Sequence, residues 1–417
     1  MTINTNTTNL KITPQLLVNV SLIGMLILQV CSYMQSEWVP STSFWSDVTM
    51  LSKYAESNKI IEFIRLVLFC AIIFASLVMQ KHGKTAWIYI FALSSFAIVY
   101  SFEAIRELNV VRAIYSGNLP IVYMLVFGFL LGQKKSIWES VKKLLPILMM
   151  IYVMLFVYEF VDSYSRFGWV IYSNSSMMAY YSHLFWLSVV YIYSCITDNK
   201  KKILIYPLLV VLFIGAILLR SRSWVIQSAL LILISSFTMY RKKNRNLRAL
   251  IKGLAIVVVI TIVIVALLNT FFGDFVNSLI EKGGNDTRSR NYIEMLEQVE
   301  PYKWLFGQGM TATYISKGQD YSFIDNELFY MSFHYGVFFA IIYFTPYLVA
   351  IVKCIQKGNK MQFWLFSALL IFLWVASVNG LSVFNRIHLD IKSFVMPFLA
   401  GHIYQTAIDS SAEEIKK

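Results

Sequence analysis

Charged side chains are scarce in this chain of 417 residues: Asp, Glu, Lys and Arg make up 14% of it, against 58% hydrophobic residues. A soluble globular protein of this length carries far more charge, so that class is excluded. Cysteine is rare too. Cys31, Cys70, Cys195 and Cys354 fall inside apolar runs without paired spacing, which predicts neither a disulfide framework nor a metal site. The main solvent of this chain is therefore lipid.

What the sequence does contain is a series of long apolar runs, each close to the roughly 20 residues that cross a bilayer. Backbone groups in hydrocarbon must be satisfied internally, which favours helices. We predict an all-α polytopic membrane protein with about twelve transmembrane helices, of which the fourth is the weakest. The predicted spans are 14–34, 60–79, 85–102, 118–133, 144–160, 177–197, 203–219, 223–240, 250–272, 326–352, 361–378 and 391–408.

Basic residues cluster in every second predicted loop, as the positive-inside rule requires of cytoplasmic loops. This alternation predicts that both termini are cytoplasmic, and it accounts for the net charge of +13 without a nucleic-acid partner. No cleavable signal peptide is expected, because the first run is long and follows a polar start. The clusters are Lys81/Lys84, Lys134 to Lys143, Lys200 to Lys202, Arg241 to Lys252 and Lys353 to Lys360.

One predicted outward segment is much longer than the others and divides the chain into three parts. Helices 1 to 9 occupy 1–272, the large periplasmic loop occupies 273–325, and 326–417 holds the last three helices and a short cytoplasmic tail. Two smaller outward loops are predicted at Gln35 to Lys59 and Glu159 to Ser176. The large loop has mixed charge and is expected to contain short helices.

Inside this loop, Arg288 to Glu300 has the spacing of an amphipathic helix that ends before Pro301. Arg288 falls at the edge of the apolar face and Arg290 on the opposite side. Either arginine could bind an anionic substrate. The alternatives are a snorkelling side chain for Arg288 and a solvated ion pair for Arg290. The apolar positions are Tyr292, Ile293, Leu296 and Val299.

A second arginine pair, Arg220 and Arg222, lies in a short turn that the topology places on the outer side, against the positive-inside bias. A guanidinium group matches phosphate oxygens with two hydrogen bonds, so an anionic partner is indicated. The alternative is pairing with a nearby carboxylate such as Glu159 or Asp162.

Tyr and Trp are dense in two of the outward loops, around Trp169 and around Trp304. Aromatic belts at the bilayer surface explain many such residues. Flat aromatic faces also stack on sugar rings, so these two tryptophans are candidate glycan-binding residues.

Four motifs in the second half of the chain follow one another in a recognisable order. They are Arg288-x-x-x-Tyr292, Leu305-Phe306-Gly307-Gln308-Gly309, Asp325-Asn326-Glu327-Leu328 and Gly336, preceded by Ser221-Arg222. This combination resembles the O-antigen polymerase and O-antigen ligase superfamily. Ligases of that superfamily usually have His before the Asn of the late motif. This chain has Asp325 there, which favours the polymerase branch.

The resemblance implies a metal-independent glycosyltransferase without a cofactor, acting at the periplasmic face of a bacterial inner membrane. Its donor would be an undecaprenyl-diphosphate-linked oligosaccharide, its acceptor a second lipid-linked repeat unit, and a chain-length regulator is an expected partner. The alternatives are an O-antigen ligase, which transfers glycan to a lipid A core, and a flippase or transporter for lipid-linked oligosaccharides.

The resemblance also implies roles for individual residues. Arg222 and Arg288 would stabilise the departing diphosphate, and Asp325 would be the general base. Independently of the resemblance, glycine placement predicts hinges of the large loop at Gly283/Gly284 and at Gly307/Gly309. The predicted substrate-binding residues are Arg220, Arg290, Glu159, Asp162, Asn326, Trp169 and Trp304.

Overall fold

The computed structural model describes most of the chain before residue 240, much of the predicted large loop, and most of the chain after that loop. The predicted span at 250–272 lies outside the described residues, as do residues 93 and 96–102 of the span at 85–102. The described residues are 12–41, 50–54, 58–92, 94–95, 119–167, 175–198, 204–219, 221–239, 287–309, 312–316, 318–321, 324, 327–357, 361–376 and 391–415.

Helices dominate the described residues, and two antiparallel pairs of strands accompany them. Residues 84–92 are also helical. The strands are β1 (Glu37–Ser41), β2 (Met50–Tyr54), β3 (Tyr314–Ser316) and β4 (Gln319–Tyr321), paired β1 with β2 and β3 with β4. The helices are α1 (Pro14–Met34), α2 (Lys59–Leu77), α3 (Leu119–Gly132), α4 (Lys135–Phe167), α5 (Ser175–Asp198), α6 (Ile205–Leu218), α7 (Arg222–Met239), α8 (Thr287–Gln298), α9 (Pro301–Phe306), α10 (Glu327–Tyr335), α11 (Val337–Ile355), α12 (Met361–Val375) and α13 (Ile391–Ile415).

Four helices of the described part are long and apolar enough to cross a membrane: α1, α2, α4 and α11. Shorter apolar helices occur in α6, α7 and α12. The chain is therefore a mostly helical membrane protein, as its composition predicts. The count of about twelve spans and the periplasmic side of the large loop stay predictions.

Helix α4 is longer than its predicted span and replaces part of a predicted loop. It runs from Lys135 to Phe167, so Glu159 and Asp162 lie in its last turns and not in an outward loop. Asp162 accepts a hydrogen bond from Arg166 Nε at 2.8 Å, an i,i+4 pair that suits a continuing helix. The prediction that the loop begins at Glu159 was wrong for this reason.

The predicted span at 326–352 is divided at Gly336. Helix α10 ends at Tyr335, Gly336 adopts φ +90° and ψ 158°, and α11 begins at Val337. That backbone conformation is essentially restricted to glycine and cannot belong to a helix. The apolar run therefore forms two helices that meet at an angle, and the junction becomes a surface against which the loop packs.

Helix α5 lies at the centre of the membrane region. Every side chain from Tyr180 to Val190 is buried, which is the pattern of a helix surrounded by others on all sides. It packs against α4 on one side and α13 on another. Helix α13 also packs along α3, where small residues let the two backbones approach closely.

Candidate functional site

Helix α8 carries the predicted arginine motif and packs against α10 through stacked aromatic rings. The ring centroids of Tyr292 and Phe329 are 5.2 Å apart with an interplanar angle of 27°. Met295 and Val299 of the same helix are buried. The amphipathic helix predicted at Arg288 to Glu300 is thus present, observed as Thr287–Gln298.

The buried face of α8 differs from the predicted one. Ile293 and Leu296, predicted to face inward, are exposed, while Met295 is fully buried. The inward-facing residues are half-buried Tyr292 and buried Met295 and Val299. They follow i, i+3, i+7 spacing, so the contact face of α8 lies part of a turn away from the predicted one. The sidedness predicted for Arg288 and Arg290 stays a prediction.

Two side chains of α8 attach the neighbouring strand β3. The Gln298 side-chain amide donates to the Ile315 carbonyl at 2.6 Å and accepts from the Ile315 backbone N–H at 2.7 Å. Ser316 Oγ donates to Glu294 Oε2 at 2.6 Å. The amide of Gln298 thereby pairs with the edge of β3 as another strand would. The loop segment therefore has a built structure that holds α8 in place.

The second loop helix, α9, packs on both α10 and α11. Pro301 is its first residue, where the missing N–H is no loss. Trp304, a predicted glycan-binding residue, is half-buried. Its ring and that of Phe333 are arranged edge to face, with their centroids 6.3 Å apart. This contact gives Trp304 a packing role between the loop and α10.

The turn after α9 is fastened to the end of α10 by three hydrogen bonds. The backbone N–H of Gln308 donates to the Phe333 carbonyl at 2.8 Å, and that of Gly309 donates to the His334 carbonyl at 3.0 Å. His334 Nδ1 donates in return to the Gly309 carbonyl at 2.9 Å. The last carbonyl groups of a helix have no hydrogen-bond donor within the helix, so the turn supplies donors for carbonyl oxygens at the end of α10.

Two glycines make this attachment sterically possible. Gly307, at φ +82° and ψ 166°, lies against the backbone at the α10–α11 break, and Gly336 lies against the backbone of Leu305 to Gly307. A Cβ atom on either glycine would overlap backbone atoms of the other segment. We call the contact formed by Gly307, Gln308, Gly309, His334 and Gly336 the glycine latch. Gly307 and Gly309 thus serve a docked turn, a role that differs from the predicted hinge.

His334 of the latch is enclosed by aromatic rings. Its ring centroid is 4.4 Å from that of Tyr330 and 4.9 Å from that of Phe333. Within the described part of the chain, its buried Nε2 has no hydrogen-bond partner. Burial lowers the pKa of His334 from 6.5 to about 4, and the hydrogen bond to the Gly309 carbonyl opposes this shift only in part.

This depressed pKa predicts that acid weakens the latch. The unfolded chain takes up the His334 proton near pH 6.5 and the folded chain only near pH 4, so the stabilisation is complete above 6.5 and is lost as the pH falls towards 4. The shift corresponds to roughly 3 kcal/mol. We expect the melting temperature of purified protein to fall over this interval, and to fall less in His334→Gln. Identical pH profiles for the two proteins would contradict the prediction.

The remaining predicted site residues are only partly placed. Glu159 is buried on α4 and accepts a hydrogen bond from Ser176 Oγ at 3.2 Å. Asp162 pairs with Arg166. Arg222 is the first residue of α7, and Arg288 and Arg290 lie in the first turn of α8. The predictions for Trp169, Arg220, Asp325 and Asn326 fall outside the described residues.

Several buried polar side chains inside the apolar helices were not among the predicted site residues. Tyr152 donates to Gln29 Oε1 at 2.7 Å, and its ring stacks on that of His183 at 5.0 Å. Lys392 Nζ donates to Ser182 Oγ at 3.3 Å, and Arg65 is buried in α2. Polar and charged residues within apolar runs are costly and mark functional or structural sites, so this signal was present in the sequence.

The geometry brings three of the resemblance motifs to one helix. Tyr292 of the arginine motif stacks on α10, the glycine turn docks at its end, and the late motif leads into its first residue, Glu327. Comparison with protein-family models, curated proteins and solved structures finds no match. Among the described residues, no group of three or more His, Cys, Asp or Glu side chains is placed to hold a metal ion.

Proposed function

We propose that this chain is an O-antigen polymerase, a glycosyltransferase that joins lipid-linked oligosaccharide repeat units at the periplasmic face of a bacterial inner membrane. The observation that supports the proposal is the convergence of three separated motifs on α10. Tyr292 and Gly307, from two separate segments of the chain, contact the same short helix, and Glu327 of the third motif is its first residue.

The proposed reaction transfers a glycan from a polyprenyl diphosphate to a hydroxyl group of the acceptor. The hydroxyl oxygen bonds to the anomeric carbon, and the bond from that carbon to the diphosphate oxygen breaks with its electron pair on the diphosphate. Negative charge therefore grows on the leaving group, and cationic groups near it lower the barrier. Arg222 and Arg288 are proposed for this role, and Arg220 and Arg290 for binding the substrate phosphates.

The hydroxyl proton needs an acceptor, for which Asp325 is proposed first and Glu159 and Asp162 next. The buried position of Glu159 beside Ser176 favours a structural role for that carboxylate. The Arg166 partner of Asp162 likewise occupies one of its oxygens. These two contacts leave Asp325, which lies two residues before α10, as the preferred base.

Cells that lack the gene test this proposal through their surface glycan. We expect the deletion strain to carry lipid A core with a single repeat unit on a denaturing gel, and wild-type complementation to restore the ladder. Arg222→Ala, Arg288→Ala and Asp325→Ala are expected to leave the single-unit form. Glu297→Ala, an exposed residue of α8, is the matched control and is expected to restore the ladder at equal membrane abundance.

The deletion phenotype also separates the alternatives. Loss of all surface glycan with polymer accumulating on its lipid carrier would indicate a ligase. Unpolymerised units retained on the cytoplasmic side would indicate a flippase. Full ladders from both arginine variants at normal abundance would reject the proposed catalytic residues.

A further inference from the structure

Helix α9 has one strongly exposed apolar face. Tyr302, Leu305 and Phe306 expose 61%, 43% and 68% of their surface. At 100° per residue these three positions fall within about a third of the helix circumference. Trp304 lies on the opposite side, against Phe333. The helix therefore has an inward contact and an outward apolar surface.

This surface is continuous with an exposed stripe on the candidate span α11. The stripe begins at Phe338, which is 50% exposed, and its ring centroid lies 6.1 Å from that of Phe306. Further exposed positions recur at helical spacing down α11, which is the pattern of a lipid-facing side. They are Ile341, Leu348, Val349, Val352 and Ile355.

The polar side chains of α9 lie at its other edge. Lys303 Nζ is 3.4 Å from Glu300 Oε2, and both side chains are substantially exposed. By register, position 303 lies between the apolar face and the inward contact at Trp304. A short helix with an apolar edge, a charged edge and an aromatic anchor has the character of an element at the membrane interface.

We propose that α9 lies in the membrane interface, with Tyr302, Leu305 and Phe306 bound to the lipid acyl chains of the leaflet at the N-terminal end of α11. The occupant is lipid because the face extends the lipid-facing stripe of a membrane span without a break. The large loop then has two attachments: the glycine latch joins it to α10, and α9 joins it to the bilayer. This inference depends on the membrane location of the chain and not on the proposed glycosyl transfer.

The test uses nitroxide labels on the full-length protein in nanodiscs. Phe306→Cys and Leu305→Cys are labelled in a background where Cys31, Cys70, Cys195 and Cys354 are replaced, and collision with oxygen and with a nickel chelate is measured. Oxygen concentrates in hydrocarbon, whereas the nickel chelate stays in water. Ile341→Cys on the α11 stripe is the lipid reference, and Glu297→Cys on α8 is the water reference.

We expect the oxygen-to-nickel accessibility ratio at positions 305 and 306 to approach that at 341 and to exceed that at 297. A ratio at both positions equal to that at 297 would place α9 in water and overturn the proposal. Low accessibility to both reagents would mean that another protein surface, such as a second copy, covers the face, and would overturn it as well. Two labelled positions guard against one variant failing to fold.

Discussion

Replacing Gly401 by alanine is expected to destabilise the membrane region by about 3 kcal/mol, because the new methyl group has no space between two helix backbones. A Cβ atom at Gly401 would overlap the Phe129 carbonyl of α3, and one at Gly132 would overlap the Phe398 carbonyl of α13. Small residues at such crossings permit the close packing that holds membrane helices together. We expect Gly401→Ala and Gly132→Ala to reduce the monodisperse fraction in fluorescence-detected size-exclusion chromatography and to lower the melting temperature.

Two other glycines serve as control positions for the size of this effect. At Gly83, the structure places no described atom within 4 Å of an added Cβ, so Gly83→Ala should behave as wild type. At Gly128, the nearest atom is the Phe394 carbonyl oxygen at 3.1 Å, which predicts an intermediate effect. If Gly401→Ala were as stable as Gly83→Ala, the close approach of α3 and α13 would be refuted.

Much of the architecture follows from the sequence because lipid imposes a simple rule. Apolar runs long enough to cross the bilayer must be helical, and α1 and α2 begin and end within two residues of the predicted limits. Helix α11 covers only the second part of the span predicted at 326–352. The amphipathic helix α8 was predicted within two residues at each end. Its contact face was misjudged because Met295 was left out of the apolar set, although it is the residue that α8 buries completely.

Other features depend on partners that one sequence does not reveal. Glu159 and Asp162 look like loop residues by polarity, yet Asp162 pairs with Arg166 of the same continuing helix and Glu159 accepts a hydrogen bond from Ser176 of α5. The break at Gly336 depends on the approach of Gly307, which is distant along the chain. Periodicity describes one element at a time, and these contacts join elements whose pairing has no local signal.

Three of the motifs meet at α10, whereas the roles predicted for their residues stay predictions. The order of the motifs along the chain indicated that they belong together, and the structure gives a physical reason in the shared contact with α10. The buried groups Gln29, Lys392 and Arg65 were absent from the prediction because the apolar runs that contain them were interpreted as uniform spans. Charge inside such runs is the signal to search first in similar sequences.

Substitution of Gly307 or Gly336 by alanine is expected to detach the large loop from the membrane helices. Each position has a backbone conformation that is strained for alanine by about 1–3 kcal/mol. The overlap of the new Cβ with the opposite backbone adds a cost of similar size. A combined penalty of about 4 kcal/mol matches the roughly 4 kcal/mol that three hydrogen bonds and the Trp304 contact contribute together, at about 1 kcal/mol each, so the docked loop loses its energetic advantage. We therefore expect faster proteolytic cleavage in the loop and, under the proposed function, loss of the polymer ladder.

Gly318 provides the matched control for this prediction. It also has positive φ, at +77°, but the structure places no described atom within 4 Å of an added Cβ. Gly318→Ala therefore carries the backbone strain, about 1–2 kcal/mol, without the overlap. If it accelerates cleavage as much as Gly307→Ala does, strain alone is responsible and the docking of the two glycines contributes nothing. If only the latch variants are cleaved faster, the close contact between Gly307 and Gly336 is what holds the turn after α9 against the end of α10.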